Sequence, residues 1–205
     1  MAVSVMRMLV LCAVRQHGRT HGYQVRQDLE FWGAHEWSNA KPGSIYHALK
    51  QMAKEGLLLA YETGPSTAGG PPRTEYEVTA TGDDAYLALV RESLRRHDEK
   101  IEVLTAGVGC IVDLPRSEAV ALLRERVTAL EGWRAEVDQY WTPDDDEFRG
   151  DHIGEIMRLW VHNAVTSAEW TRGLIDRLEA GAYVMAGEGE RVVNVLPEGE
   201  RNPFS

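Results

Sequence analysis

The stretch Pro42-Gly43-Ser44-Ile45-Tyr46-His47-Ala48-Leu49-Lys50-Gln51-Met52-Ala53-Lys54-Glu55-Gly56-Leu57 restricts what this chain can fold into more than any other. At about 100° per residue, Ile45, Ala48, Leu49 and Met52 fall on one side, and Gly43, His47, Lys50, Gln51 and Lys54 fall on the other. Pro42 suits a first helical position, where its missing N–H would be unpaired anyway, and Gly56 suits a left-handed C-terminal cap. The spacing predicts a helix of roughly three turns, about 18 Å long. One face is core. The other carries lysines, an amide and an imidazole with no acid before Glu55, a composition that suits phosphate neutralisation and hydrogen bonding to base edges as well as an ordinary solvated face.

The flanking segments decide between those readings. Val5, Met8, Leu9, Cys12 and Ala13 recur at helical spacing up to Gly18, and Thr20-His21-Gly22-Tyr23 opens a second helix with Val25, Leu29 and Trp32 inward. Gly33 to Lys41 reads as a loop. After the third helix, Leu57 to Thr63 is β-compatible, Gly64 to Arg73 is dense in Gly, Pro, Ser and Thr, and Thr74 to Thr79 alternates at period two. Three helices followed by a two-stranded hairpin make a winged helix-turn-helix, with the third helix for the major groove and the hairpin as wing.

The chain of 205 residues has a net charge of −10, which argues against a polyanionic partner if it is treated as one object. The charge is unevenly placed. Residues 1–82 hold eight Lys/Arg against seven Asp/Glu, a balance of +1, leaving −11 for the rest. An acidic second half, repelled by a DNA backbone, helps to present the first half to it. No charged-then-apolar leader and no bilayer-length apolar run is present, so a cytoplasmic protein with no membrane partner is expected. Cys12 and Cys110 match no metal spacing and read as buried thiols.

The order and wording of the first 85 or so residues resemble the PadR family of transcriptional regulators. The resemblance rests on His21-Gly22-Tyr23, on Pro42-Gly43-Ser44-Ile45-Tyr46 with Ala48-Leu49-Lys50 and Glu55-Gly56-Leu57, and on Arg73 with Tyr76 and Thr79-Ala80-Thr81-Gly82. Two departures stand out: His47 occupies a position where the family often has Pro, and the tip Ser66 to Pro72 is longer than usual. The resemblance implies that Tyr23 approaches a phosphate, that Ser44, Tyr46 and Lys50 contact the groove or its walls, and that Arg73 reaches the backbone or minor groove. The residues agree independently for Ser44, at a helix N-terminus where free N–H groups form an anion site, and for Lys50, in the middle of the polar face. Tyr46 and Tyr76 suit either DNA contact or packing against the wing. The candidate DNA-binding set is Tyr23, Lys41, Gly43, Ser44, Tyr46, His47, Lys50, Gln51, Lys54 and Arg73.

From Asp83 a long helix is expected, broken at Asp113-Leu114-Pro115; another follows with Val120, Leu123, Val127, Leu130 and Val137 inward. Thr142 to Asp146 is an acidic break. A last helix, from about Asp151 to Glu179, places Ile153, Met157, Trp160, Ala164, Ser167, Thr171, Leu174 and Leu178 at steps of three and four, an interface stripe. The expected fold class is mainly α with a small β-hairpin: a winged helix-turn-helix domain over 1–82, a helical dimerisation and effector-binding domain over 83–180, and an acidic, Gly-rich tail over 181–205. That tail is either a short extended segment lying on a neighbour or a frayed end. A single short recognition helix neutralises few phosphates, so a homodimer on a palindromic site is expected.

Trp133, Tyr140, Trp160, His162 and Trp170 are candidate ligand-binding residues for a flat effector, against the alternative that the tryptophans fill a dimer core. The family resemblance implies such a ligand, because some members sense phenolic acids or other planar compounds. His152 and Glu155 share a helix face, but His162 lies ten residues on, about 80° short of three full turns, so no metal site is expected. No catalytic motif is present, and neither an enzyme nor a cofactor is expected. The leading expectation is a dimeric, ligand-responsive repressor on double-stranded DNA; the alternative is a winged-helix scaffold or protein-interaction module without operator binding.

Overall fold

The computed structural model describes residues 3–38, 40–63, 73–142 and 152–189. It divides into two compact units, the first holding residues 3–93 and 99–111 and the second residues 94–98 and 112–189. The expected boundary after residue 82 falls within a helix.

In the first unit, α1 (Val5–His17) starts where the Ser4 hydroxyl accepts from the Arg7 amide and ends at Gly18, whose φ of 73° favours glycine. β1 (Arg19–His21), α2 (Gly22–Phe31), α3 (Ala34–Trp37) and α4 (Pro42–Lys54) follow. β2 (Leu58–Thr63) and β3 (Arg73–Val78) form the hairpin, and β1 adds to the free side of β3, giving the antiparallel order β1-β3-β2. Thr20 faces Tyr76, which faces Ala60. α5 (Ala80–Arg95) leaves the sheet and α6 (Ile101–Gly109) returns to α1.

Three expectations need correcting here. The hairpin is part of a three-stranded sheet, because Arg19–His21, of which Thr20 and His21 read as the opening of the second helix, is a strand; three residues are too few to display a period of two. One helical turn, α3, interrupts the expected loop from Gly33 to Lys41. The long helix from Asp83 also breaks earlier than Asp113: α5 ends at Arg95, and Lys100, at φ −64° and ψ 155°, sits extended before α6. The run from Arg95 to Lys100 is charged throughout and offers no apolar stripe to hold a helix against a neighbour.

Met8, Leu11, Leu29, Ile45, Leu49, Met52, Leu58 and Tyr86 are fully buried, each contributing about 1.5–3 kcal/mol for an aliphatic side chain. They lock α4 against α1, α2 and β2. Buried Asp28 sets α2 against α1, pairing with His17 Nε2 at 2.7 Å and accepting from Gln24 Nε2 at 3.2 Å. Tyr86 shares its hydroxyl with the thiols of Cys12 and Cys110, and burial pushes its pKa far up. The wing is fastened at its base. Thr79 Oγ1 donates to the Gly56 carbonyl at 2.8 Å and accepts from the Gly82 amide at 3.0 Å, and a Cβ on Gly82 would lie 2.0 Å from the Leu57 carbonyl oxygen.

In the second unit, α7 (Arg116–Val137) and α8 (His152–Glu179) form an antiparallel hairpin. Arg124 pairs with Glu179 at 2.5 Å, and Arg172 pairs with Glu131. Arg116 closes the end of α8: its Nη1 donates to the Leu178 and Ala182 carbonyls, and its Nη2 donates to that of Tyr183. The small residues of the expected interface stripe serve this hairpin. Ala164 and Ala168 pack on Leu130, and Thr171, Leu174 and Leu178 are buried, whereas Trp160 of the same stripe is 53% exposed. The acidic break after Thr142, the side chain of Ile153 and the tail beyond Gly189 lie outside the described residues.

Candidate nucleic-acid interface

α4 is the helix whose placement decides the site. No side chain caps its N-terminus, Pro42 stands in the first turn, and no acid lies there, so the positive end of the helix is open to an anion. Ile45, Ala48, Leu49 and Met52 are buried. Lys41, Gly43, His47, Lys50, Gln51 and Lys54 are all exposed, and Ser44 is half-buried at the helix start. Lys50 and Lys54 form no ion pair among the described residues, and neither is covered by its own chain. Nothing lies within 4 Å of where a Gly43 Cβ would stand, so the fold itself does not require glycine there.

The one acid on this side of α4 is neutralised from another helix. Glu55 pairs with Arg7 of α1 at 2.5 Å and accepts from Gln51 Nε2 at 2.9 Å. The Arg7 guanidinium first, then the Gln51 amide, hold the Glu55 carboxyl down to about 2. Sequence reasoning missed Arg7, because the partners lie 48 residues apart and no local pattern links them. One of the two Gln51 amide N–H donors is thereby engaged, which leaves the other and the carbonyl oxygen to face outward.

α2 contributes Tyr23, 55% exposed, whose hydroxyl accepts from Gln27 Nε2 at 2.9 Å and keeps its own proton to donate. His21 Nδ1 caps this helix by accepting from the Gln24 amide at 3.2 Å. Tyr46, 40% exposed, lies over the start of α2: a Cβ on Gly22 would stand 2.6 Å from its Cε1. Gly22 therefore makes room for the Tyr46 ring, which packs on α2 while keeping an exposed edge. Tyr76 is different. It is buried in the middle strand, and burial raises its pKa.

In the sheet, the Arg19 guanidinium lies 3.8 Å over the Tyr61 ring and pairs with Glu75 at 2.6 Å, stiffening the wing from outside. Arg73 opens β3 opposite Thr63, at the end of the hairpin that leads to the tip. Its side chain and the tip, residues 64–72, lie outside the described residues.

The expected ligand set is dispersed. Trp133 packs against Leu130, Ala164 and Ala168. Tyr140, Trp160 and Trp170 are 79%, 53% and 43% exposed, and His162 is exposed as well. A cleft of about 330 Å³ does open between α7 and α8, bordered by Leu130, Glu131, Arg134, Ala164, Ala168 and Arg172 among others, and none of the five lines it. Tryptophan spacing along α8 gave no sign of which face would meet α7. No group of three or more His, Cys, Asp or Glu among the described residues could hold a metal ion.

Solved structures with similarity to this chain include Bacillus subtilis PadR in complex with operator DNA, at 17% identity over 85% of this chain and 99% of that one, with a TM-score of 0.37. A PadR-like transcriptional regulator from Bacillus cereus aligns at 16% identity, 85% and 98% coverage and a TM-score of 0.33. A Streptococcus mutans protein aligns at 14%, with 82% and 98% coverage and a TM-score of 0.35. A comparison with curated proteins returns no match. Against protein families, the transcriptional regulator PadR-like family matches residues 10–88, a span that runs from within α1 through α4 and the wing into α5. Over residues 10–88, this chain carries a domain of the PadR-like family of transcriptional regulators.

Proposed function

We propose that this protein is a cytoplasmic repressor that binds a palindromic operator as a homodimer and releases it on binding a small effector. The observation that carries the reading is the α4 face: Lys50 and Lys54 stand exposed and, among the described residues, without ion-pair partners beside His47 and Gln51, behind a helix start without a side-chain cap. In this reading the N-terminal turn of α4 and Ser44 receive a phosphate, Lys50 and Gln51 face the groove floor, and Lys41 and Lys54 meet the backbone on either side. Tyr23 donates to a phosphate from α2, and Arg73 approaches from the wing.

A lone unit of this size would bind weakly, since backbone contacts alone give about 10⁻⁴ to 10⁻⁶ M. Two copies with α4 helices about 34 Å apart would read two half-sites. Support for a second copy comes from α8, where Ile156, Leu159, Trp160 and Trp170 are 40%, 56%, 53% and 43% exposed along one helix, large apolar side chains of the kind that mark interaction surfaces where they are grouped. The test is a mobility shift of the purified protein on DNA from upstream of its own coding region, with light scattering on the same sample. A dimer retarding that DNA in the presence of excess unrelated duplex is expected. A monomer, or retention no better than on unrelated DNA, favours the winged-helix scaffold instead.

A further inference from the structure

Cys12 of α1 and Cys110, the residue that ends α6, are free thiols, only 4% and 3% exposed. They are distant in sequence, yet the hydroxyl of a single side chain, Tyr86 of α5, hydrogen-bonds to both. That ring is fully buried. The Arg15 guanidinium lies 5.6 Å from its centre and is itself held by Asp83 at 2.5 Å. The packing of the first unit thus brings two sulfurs to one oxygen and fixes the ring that carries it.

A further donor singles out one of the two thiols. Gln16, one turn along α1, points its Nε2 at Cys12 Sγ from 3.1 Å, and its buried Oε1 has no hydrogen-bond partner among the described residues. A phenol has one proton to give. Given to Cys12, while the Cys110 S–H donates to the phenol oxygen, it makes a chain of hydrogen bonds running from Cys110 through Tyr86 to Cys12. The Cys12 sulfur at the end of that chain also receives the Gln16 amide. Two donors on one sulfur favour its thiolate, the form that attacks, whereas a buried thiol without them is inert.

We infer that Cys12 and Cys110 form an oxidant-responsive dithiol, which hydrogen peroxide converts to an intramolecular disulfide. Cys12 Sγ, as thiolate, attacks one peroxide oxygen; the O–O bond breaks, and the departing hydroxide takes up the proton that Cys12 gave away. Cys12 is then a sulfenic acid. Cys110 Sγ attacks the Cys12 sulfur, its proton passes through the Tyr86 hydroxyl to the sulfenic oxygen, and the S–O bond breaks to release a second water. Two thiols are oxidised to one disulfide and one peroxide is reduced to two waters. Closing the bond draws the sulfurs off the phenol. Cys110 is the partner that can give way, because it lies beyond the last turn of α6, whereas Cys12 stands in the middle of α1. In a reducing compartment such a bond is a transient mark of oxidant and not a permanent staple. The site stands independently of how the protein meets DNA.

The test treats reduced full-length protein with hydrogen peroxide while its helical signal confirms that it stays folded. Free thiols, the intact mass and the non-reduced peptides are followed together. Wild type should lose both thiols and two hydrogens of mass, yield a peptide pair joined from Cys12 to Cys110, and regain its starting mass with a thiol reductant. In Cys110→Ser the reaction should stop at the sulfenic acid, which dimedone captures on Cys12; in Cys12→Ser, labelling of Cys110 should be several-fold lower. Tyr86→Phe keeps the ring and removes the hydroxyl, and should slow disulfide formation several-fold. Gln16→Leu should slow it as well, and probes the same chain if Tyr86→Phe does not fold. Thiols that survive peroxide in folded wild type, or a disulfide that joins two chains, overturn the site. Equal dimedone labelling in the two serine variants, or closure at the wild-type rate in both Tyr86→Phe and Gln16→Leu, overturns the choice of Cys12 as the attacking thiol.

Discussion

Replacing Lys50 and Lys54 together by alanine tests the α4 face through its salt dependence. Both side chains are exposed on the same side of the helix and unpaired among the described residues, so their loss removes charge without removing packing. In a dimer the double variant lacks four phosphate-neutralising groups, which lowers the slope of log K against log salt by about 3.6. Between about 50 and 200 mM salt, wild type should therefore lose roughly 150-fold more affinity than the double variant, and roughly 12-fold more than either single variant. Stability should change by no more than about 0.5 kcal/mol, because neither site is buried and alanine is at home in a helix. Fluorescence anisotropy of a labelled operator duplex across a salt series reads the slopes. Lys100→Ala is the control, an exposed lysine in the segment before α6. Equal slopes for wild type and the double variant, or the same flattening in Lys100→Ala, would refute the assignment of α4 to the duplex.

Further outcomes follow from single contacts. Gly43→Ala should leave the melting temperature unchanged or slightly raised, since nothing lies near its Cβ position, while weakening operator binding if a phosphate approaches that turn. Gly82→Ala, with its Cβ 2.0 Å from the Leu57 carbonyl oxygen, should destabilise the wing base by about 1–3 kcal/mol in denaturant unfolding. Trp160→Glu should shift the protein to monomer in sedimentation at micromolar concentration while leaving its helical signal intact. The Glu55 carboxyl, lowered from an ordinary 4.5 to about 2 by Arg7 and then Gln51, favours the fold above pH 4.5. That contribution fades as pH falls towards 2, so carbon-detected titration of Glu55 should read near 2 in wild type and move upward in Arg7→Met.

Much of the first unit is legible in sequence because its informative residues repeat at short range. The buried and exposed sides of α4 follow from Ile45, Ala48, Leu49 and Met52 alone, and the wing follows from the alternation of Thr74 to Thr79. What escapes is tertiary. β1 is three residues long, and its strand character comes from pairing with β3, more than fifty residues away in the chain. The neutralising Arg7 sits on a different helix from Glu55. The meaning of Gly82 emerges only where its backbone meets the Leu57 carbonyl. In the second unit the three-and-four spacing on α8 indicated a packed stripe but could not say which partner it packs on. The small residues meet α7, Trp133 packs on them and Trp160 and Trp170 face solvent, so an aromatic cluster implied by composition is scattered in space.

A hydroxyl-radical footprint on the protein's own upstream DNA measures the central claim most directly, because it reports where along the duplex each α4 helix sits. Two protected half-sites of inverted sequence, centred about one helical turn of 10 to 10.5 base pairs apart and both lost in the double lysine variant, are the predicted pattern. A single patch without dyad symmetry, or protection that persists without Lys50 and Lys54, would contradict it.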